Sequence, residues 1–168
     1  MRSDQRRQAI LKTLQQADQP MSASALADCF SVSRQIIVGD IALLRSAGAE
    51  IQATPRGYVT AQKPSGLVRQ IAVRHGAGQT EEELNVMVDN GCTVLDVIVD
   101  HAIYGQLTGP LQLSNRYEVQ QFMTRSEGVQ PLSLLTEGIH LHTLSCPNEE
   151  AFQRVQSALR ELKILWED

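Results

Sequence analysis

No stretch of the chain approaches the ~20 consecutive apolar residues that a membrane-spanning helix requires, so no membrane partner is expected. The opening segment, Met1-Arg2-Ser3-Asp4-Gln5-Arg6-Arg7, lacks the apolar core of a signal peptide, which points to the cytoplasm. Cysteine is sparse: Cys29, Cys92 and Cys146 are odd in number and have no CxxC spacing. That excludes a disulfide framework and a zinc ribbon, and leaves each thiol to be read as a small buried hydrophobe. An overall basic charge is also missing, since the formal net charge is −4. Histidine is confined to His75, His101, His140 and His142. What remains is an ordinary apolar content of 42% over 168 residues, enough for one large or two small cores.

The charge is divided unevenly. Residues 1–64 carry eight basic and five acidic side chains, a net +3, whereas the rest carries seven and fourteen, a net −7. A small basic module on an acidic body suits a DNA reader joined to a sensing or dimerising domain. In the basic part, Ser3 to Ala17 places Ile10, Leu11 and Leu14 on one helical stripe, and Asp18-Gln19-Pro20 ends it. Ser22 caps a second helix with Ala23, Leu26, Ala27 and Phe30 at helical spacing. Ser33 opens a third, with Ile37, Ile41 and Leu44 inward, stopped by Gly48. Short helix, tight turn and helix make a helix-turn-helix, and the strands expected at 50–53 and 57–60 around Thr54-Pro55-Arg56 make a wing. At the exposed start of the third helix, Ser33 can bond a phosphate or base edge, Arg34 can grip guanine and Gln35 can pair with adenine. Arg56 at the wing would meet backbone or minor groove. The competing reading is a three-helix protein-interaction module with a solvated Arg34 and Gln35.

These residues resemble the winged helix-turn-helix domain of biotin-repressor-type regulators, through Ser31-Val32-Ser33-Arg34-Gln35-Ile36-Ile37-Val38, Asp40-Ile41, Leu43-Leu44-Arg45 and Pro55-Arg56-Gly57-Tyr58. Gly39 departs from it, since similar domains generally carry a larger polar residue there, and it costs the helix about 1 kcal/mol relative to alanine.

Gln62-Lys63-Pro64-Ser65-Gly66 is a breaker-rich linker, which sets the expected domains at 1–62 and 67–168. Beyond it, Val68, Ile71 and Val73 form a strand that ends at His75, and a helix follows from about Thr80 to Asn90. Thr80-Glu81-Glu82-Glu83 has the form of a capping box, a structural role for Glu83. Cys92 to Val99 reads as a strand covered on both sides, and Leu111-Gln112-Leu113 as one pairing back to it. Helices are expected from Asn115 to Ser126 and after Pro147-Asn148, with Ile164-Leu165-Trp166 as a last edge strand. The fold class is therefore an N-terminal winged helix-turn-helix domain plus a C-terminal α+β sandwich, a sheet with helices packed on one face.

In Gly138-Ile139-His140-Leu141-His142-Thr143-Leu144 alternation puts His140, His142 and Leu144 on one strand face. A same-face histidine pair can converge on one ion, or be satisfied within the core. By the same alternation His75 joins Ile71 and Val73 and would point into the core, unless the strand ends at Gly76 first.

His75, Glu83, Asp96-Val97-Ile98-Val99-Asp100-His101 with Tyr104-Gly105, and Gly138-Ile139-His140-Leu141-His142-Thr143 resemble the three-histidine domain of bacterial niacin-responsive repressors. The resemblance implies His75, Glu83, His140 and His142 as metal ligands and nicotinic acid as corepressor. It also implies operator DNA of NAD-synthesis or niacin-uptake genes as target. His101 and Tyr104 fall in the neighbourhood of the ligand, and Ala102 stands where proline is common in that family. Nitrogen and carboxylate ligands suit nickel, zinc, iron or manganese. A homodimer is expected, because one winged helix spans too few base pairs for useful specificity. The alternative is a mononuclear metalloenzyme with a His3Glu site fused to a helix-turn-helix module. Thr143-Leu144-Ser145-Cys146 after His142 lacks the glutamate of cupin-like enzymes, and no general base is evident beyond the ligands, so no enzyme is expected.

Overall fold

The computed structural model describes residues 1–61 and 64–167. Gln62 and Lys63, at the start of the expected linker, lie outside the described residues, as does Asp168. The chain divides into two compact units between residues 63 and 64.

The first unit is three helices and a hairpin: α1 (Ser3–Gln16), α2 (Ala23–Phe30), α3 (Arg34–Ser46), β1 (Ile51–Thr54) and β2 (Gly57–Thr60). Both short helices start where serine satisfies an orphan amide. Ser22 Oγ accepts from the Ala25 N–H at 3.0 Å and Ser33 Oγ from the Ile36 N–H at 3.3 Å. Ser31 adopts a left-handed conformation (φ 51°), which turns the chain between α2 and α3. Ile10, Leu14, Leu26, Ile37, Ile41 and Leu44 close one core. The hairpin is tied to the helices by reciprocal backbone bonds between Met21 and Tyr58, at 3.0 and 2.8 Å. Gly57 (φ 140°) permits this, because a Cβ there would collide with the Met21 backbone carbonyl.

The second unit contains β3 (Leu67–Arg74), α4 (Thr80–Asp89), β4 (Thr93–His101), β5 (Gly105–Leu113), α5 (Arg116–Ser126), β6 (Ile139–Cys146) and α6 (Glu149–Glu161). Its sheet is antiparallel, in the order β3-β6-β4-β5. One face of the sheet carries Ile71, Val73, Val94, Leu111, Leu113, Leu144 and Cys146 against Leu84, Met87 and Val88 of α4, Val119 of α5, and Phe152, Val155 and Leu159 of α6. Each such fully buried aliphatic side chain contributes on the order of 1.5–3 kcal/mol.

Several expectations need correction. Val68 lies in the expected strand with Ile71 and Val73, but an odd spacing puts it on the opposite face, where it is 41% exposed. β5 begins at Gly105, well before Leu111; it is an edge strand, where Pro110 and two glycines are tolerated. β4 shifts register between Val94 and Asp96 against both neighbours, so its face alternation is interrupted. The C-terminal segment forms a single bridge, Val73 with Leu165, flanked by bonds from Arg74 N–H to Ile164 and from Trp166 N–H to Ala72. Among the thiols Cys92 and Cys146 are buried, with Sγ atoms 2.7 Å apart, and burial pushes the Cys92 thiol up to about 12. Cys29 is exposed, which corrects its assignment to a core.

Candidate metal centre and nucleic-acid interface

Three of the four histidines meet around one carboxylate. His75 at the end of β3 and His140 and His142 on β6 share the helix-facing side of the sheet, and Glu83 comes down on them from the first turn of α4. All four are buried, Glu83 completely. Strand alternation thus carries His75 inward, and the core it enters is polar at that point. Glu83 is not a capping residue: a 3-10 turn at Ala77–Gln79 moves the helix boundary, Gln79 is the N-cap and has no side-chain cap bond, and Glu83 faces inward beside Leu84.

The bonding of the rings fixes their tautomers. His75 Nδ1 lies 2.6 Å from the Gly76 carbonyl oxygen, His140 Nδ1 2.9 Å from that of Gly138, and His142 Nδ1 2.7 Å from that of Asp96. A carbonyl only accepts, so every Nδ1 is the protonated nitrogen, and every Nε2 of a neutral ring is a lone pair. Those lone pairs face another acceptor. Glu83 Oε2 is 2.6 Å from His75 Nε2, and Oε1 is 3.2 Å from Nε2 of both His140 and His142. The buried His142 Nε2 lies at that distance without the alignment of a hydrogen bond. Ligating atoms of His75, Glu83 and His140 fall within 4.8 Å of one another. Acceptors packed this closely away from water need positive charge between them, either protons on Nε2 or a cation.

The electrostatics agree. Burial draws the His75 and His142 rings down, but the charge of Glu83, together with its hydrogen bond to His75 Nε2, outweighs it and holds both above the ordinary 6.5. Burial pushes the Glu83 carboxyl up, yet the facing His142, His140 and His75 hold it well below its ordinary range. Imidazole and carboxylate donors fit a divalent transition metal, and the carbonyl bonds at each Nδ1 orient the rings as ligands require. Gly138 (φ 87°) completes the frame: a Cβ there would strike the His75 carbonyl, so only glycine brings β6 this close to the end of β3. The carbonyls of Gly76, Gly138 and Asp96 had no side-chain signal in the sequence.

His101 and Tyr104 stand apart from this cluster. They occupy the β4–β5 hairpin, where His101 Nδ1 accepts from the N–H groups of Ile103 and Tyr104 at 3.1 and 3.3 Å. Their ring centroids are 5.0 Å apart with the planes tilted by 32°, and Tyr104 is 74% exposed. β4 pairs Val97 with His142, so His101 lies four residues farther along, roughly 13 Å at strand rise. The structure does not bring them together with the other three histidines.

On the first unit, Ser33, Arg34 and Gln35 are exposed at the start of α3. Arg56 lies within the β1–β2 turn, half-buried, and its Nη1 donates to Gln19 Oε1 at 3.3 Å. Not foreseen was the brace of α3 by α1: Arg6 Nε lies 2.6 Å, and Arg7 Nη1 3.6 Å, from the buried carboxylate of Asp40. A carboxylate on the inward face of an otherwise apolar helix stripe was the available signal.

Residues 6–59 match the family model of an HTH domain, and residues 68–168 that of the 3H domain. A probable transcription repressor, NiaR, of Thermotoga maritima is 42% identical over 166 residues, 98% of this chain and 95% of the relative. The transcription repressor NadR of Bacillus subtilis is 42% identical over 169 residues, 97% of this chain and 94% of the relative.

The chain belongs to the NiaR/NadR family of transcription repressors.

As a NiaR/NadR-type repressor it is not an enzyme, and the metalloenzyme alternative falls away. Its helix-turn-helix is a DNA-binding element, which also sets aside the protein-interaction reading of the first three helices. No helix among the described residues is long and apolar enough to cross a membrane.

Proposed function

We propose that this NiaR/NadR-type repressor silences genes of NAD synthesis or niacin uptake in the cytoplasm, with nicotinic acid as corepressor sensed at a metal centre in the second unit. The observation that carries the reading is the opposition of three Nε2 lone pairs to both oxygens of Glu83, with every Nδ1 already committed to a carbonyl. His75, Glu83, His140 and His142 would hold nickel, zinc, iron or manganese. Three neutral imidazoles and one carboxylate leave a bound divalent ion with about one net positive charge, which attracts the carboxylate of nicotinic acid. Nicotinamide has no carboxylate and binds far more weakly.

The first unit reads the operator through Ser33, Arg34 and Gln35, with Arg56 of the wing on backbone or minor groove. Ser33 keeps a hydroxyl proton for a phosphate while its oxygen caps α3. Two such units in a homodimer, joined mainly through the second unit, would place two α3 helices on inverted half-sites. His101 and Tyr104, farther along the β4–β5 hairpin, are proposed as ligand-side residues and not as metal ligands, and their alanine variants report directly on that role.

The test is His140→Ala with His142→Ala, followed by metal content, nicotinate binding and operator binding on one preparation. Metal and nicotinate response are expected to vanish while weak nonspecific DNA binding survives. A folded double variant with a full nicotinate-dependent gain in operator affinity would overturn the metal-centred reading.

A further inference from the structure

The outward face of α3 is bare in its middle. At 100° per residue Gln35, Gly39, Ala42 and Ser46 fall on the side opposite Ile37, Ile41 and Leu44, and all four are exposed. Of the arginines in the helix, Arg45 is drawn away: its Nε donates to the Ile51 carbonyl at 2.8 Å and its guanidinium lies over the Tyr58 ring at 5.7 Å. Beside the bare strip stands Ile36, 42% exposed in the first turn and outside the apolar core. Leu43, seven residues on and at nearly the same angle, is 53% exposed.

Neither Ile36 nor Gly39 is explained by packing. A Cβ on Gly39 would meet nothing within 4 Å, so alanine would fit and would favour the helix by about 1 kcal/mol. An α-helix with side chains, ~10–12 Å across, nearly fills a major groove ~12 Å wide, so side chains on the outward face set how deeply it sits. A glycine there lets the backbone itself approach the base edges. The apolar feature of the major groove is the thymine C5 methyl, and an exposed isoleucine beside that point of approach is its complement.

We propose that Ile36 and Gly39 set base preference at the centre of each half-site: Gly39 admits α3 deeply, and Ile36 packs on a thymine methyl. This rests on α3 being the recognition helix, and the test separates the two. The full-length protein is used, with a duplex selected by the wild type from a random library. Each thymine in turn is replaced by deoxyuridine, which removes only the methyl. One replacement per half-site is expected to weaken the wild type about fourfold, the value of one buried methyl group, and to leave Ile36→Ala unaffected. Gly39→Leu is expected to keep or raise the melting temperature and to weaken duplex binding at least about tenfold. The inference is overturned if no deoxyuridine effect depends on Ile36, or if Gly39→Leu binds like the wild type. Arg34→Ala on the same duplex guards the underlying reading: if it binds unchanged, α3 is not the recognition helix and both fail. If it binds weakly while the Ile36 and Gly39 variants are silent, only this inference fails.

Discussion

Replacing Glu83 by glutamine keeps the size of the side chain and removes its charge at the point where His75, His140 and His142 converge at 2.6, 3.2 and 3.2 Å. With a metal bound, the variant loses the one anionic member of the four proposed ligands. Structural zinc sites bind with roughly 10–16 kcal/mol over four ligands, so one ligand is worth about 3 kcal/mol, or roughly two orders of magnitude in affinity. Without metal, the glutamine amide nitrogen has two N–H donors for three Nε2 lone pairs and leaves at least one buried lone pair unmet, at a cost of ~1–3 kcal/mol. Part of that is offset, because a buried charge no longer has to be desolvated. The variant is therefore expected to fold with a lower melting temperature, bind divalent metal about a hundredfold more weakly, and show no nicotinate effect on DNA at metal levels that saturate the wild type. Calorimetric metal titration, thermal unfolding and fluorescence anisotropy on a selected duplex measure these in turn. Metal affinity within about threefold of wild type, with the nicotinate response intact, would refute the assignment of Glu83 as a ligand.

Three further outcomes follow from the same geometry. In the metal-free chain His75 and His142 titrate above 6.5, so their contribution to stability is fully present below that pH and lost as the pH rises through the folded values. Thermal unfolding should show the metal-free protein weakening across that window and the metal-loaded protein resisting; a metal-free chain that gains stability there contradicts the cluster. Arg34→Ala should cost about 1–3 kcal/mol per half-site and relax base preference, whereas Arg56→Ala should weaken all duplexes more evenly and flatten the salt dependence. Sedimentation should find a dimer at micromolar concentration, and a monomer that persists with DNA and nicotinate present would count against paired half-sites.

Local chemistry made much of the fold readable. Ser22, Ser33 and Asn148 each announce a helix because a side-chain oxygen must meet an orphan amide, and each does so. β5 was legible only at Leu111 and Leu113, since Gly105, Gly109 and Pro110 have poor strand propensity and are admitted by their edge position. The site was legible in half. The His140 and His142 faces followed from period two, and the same rule put His75 inward, but nothing along the strand reveals that a helix brings a carboxylate to it. Glu83 met the pattern of a capping box equally well, and only the turn at Ala77–Gln79 decides against that role. Backbone carbonyls that orient the rings leave no trace in side-chain identity.

The central claim joins metal, nicotinate and DNA in one linkage, and one titration addresses it. Binding of the full-length protein to a selected duplex is measured with a divalent metal and nicotinate both present, each withheld, and both withheld. The account expects tight binding only when both are present, with a gain equivalent to ~1–3 kcal/mol over any other condition and an equal gain in nicotinate affinity when DNA is bound. Equal affinity in all four conditions, across nickel, zinc, iron and manganese, would contradict it.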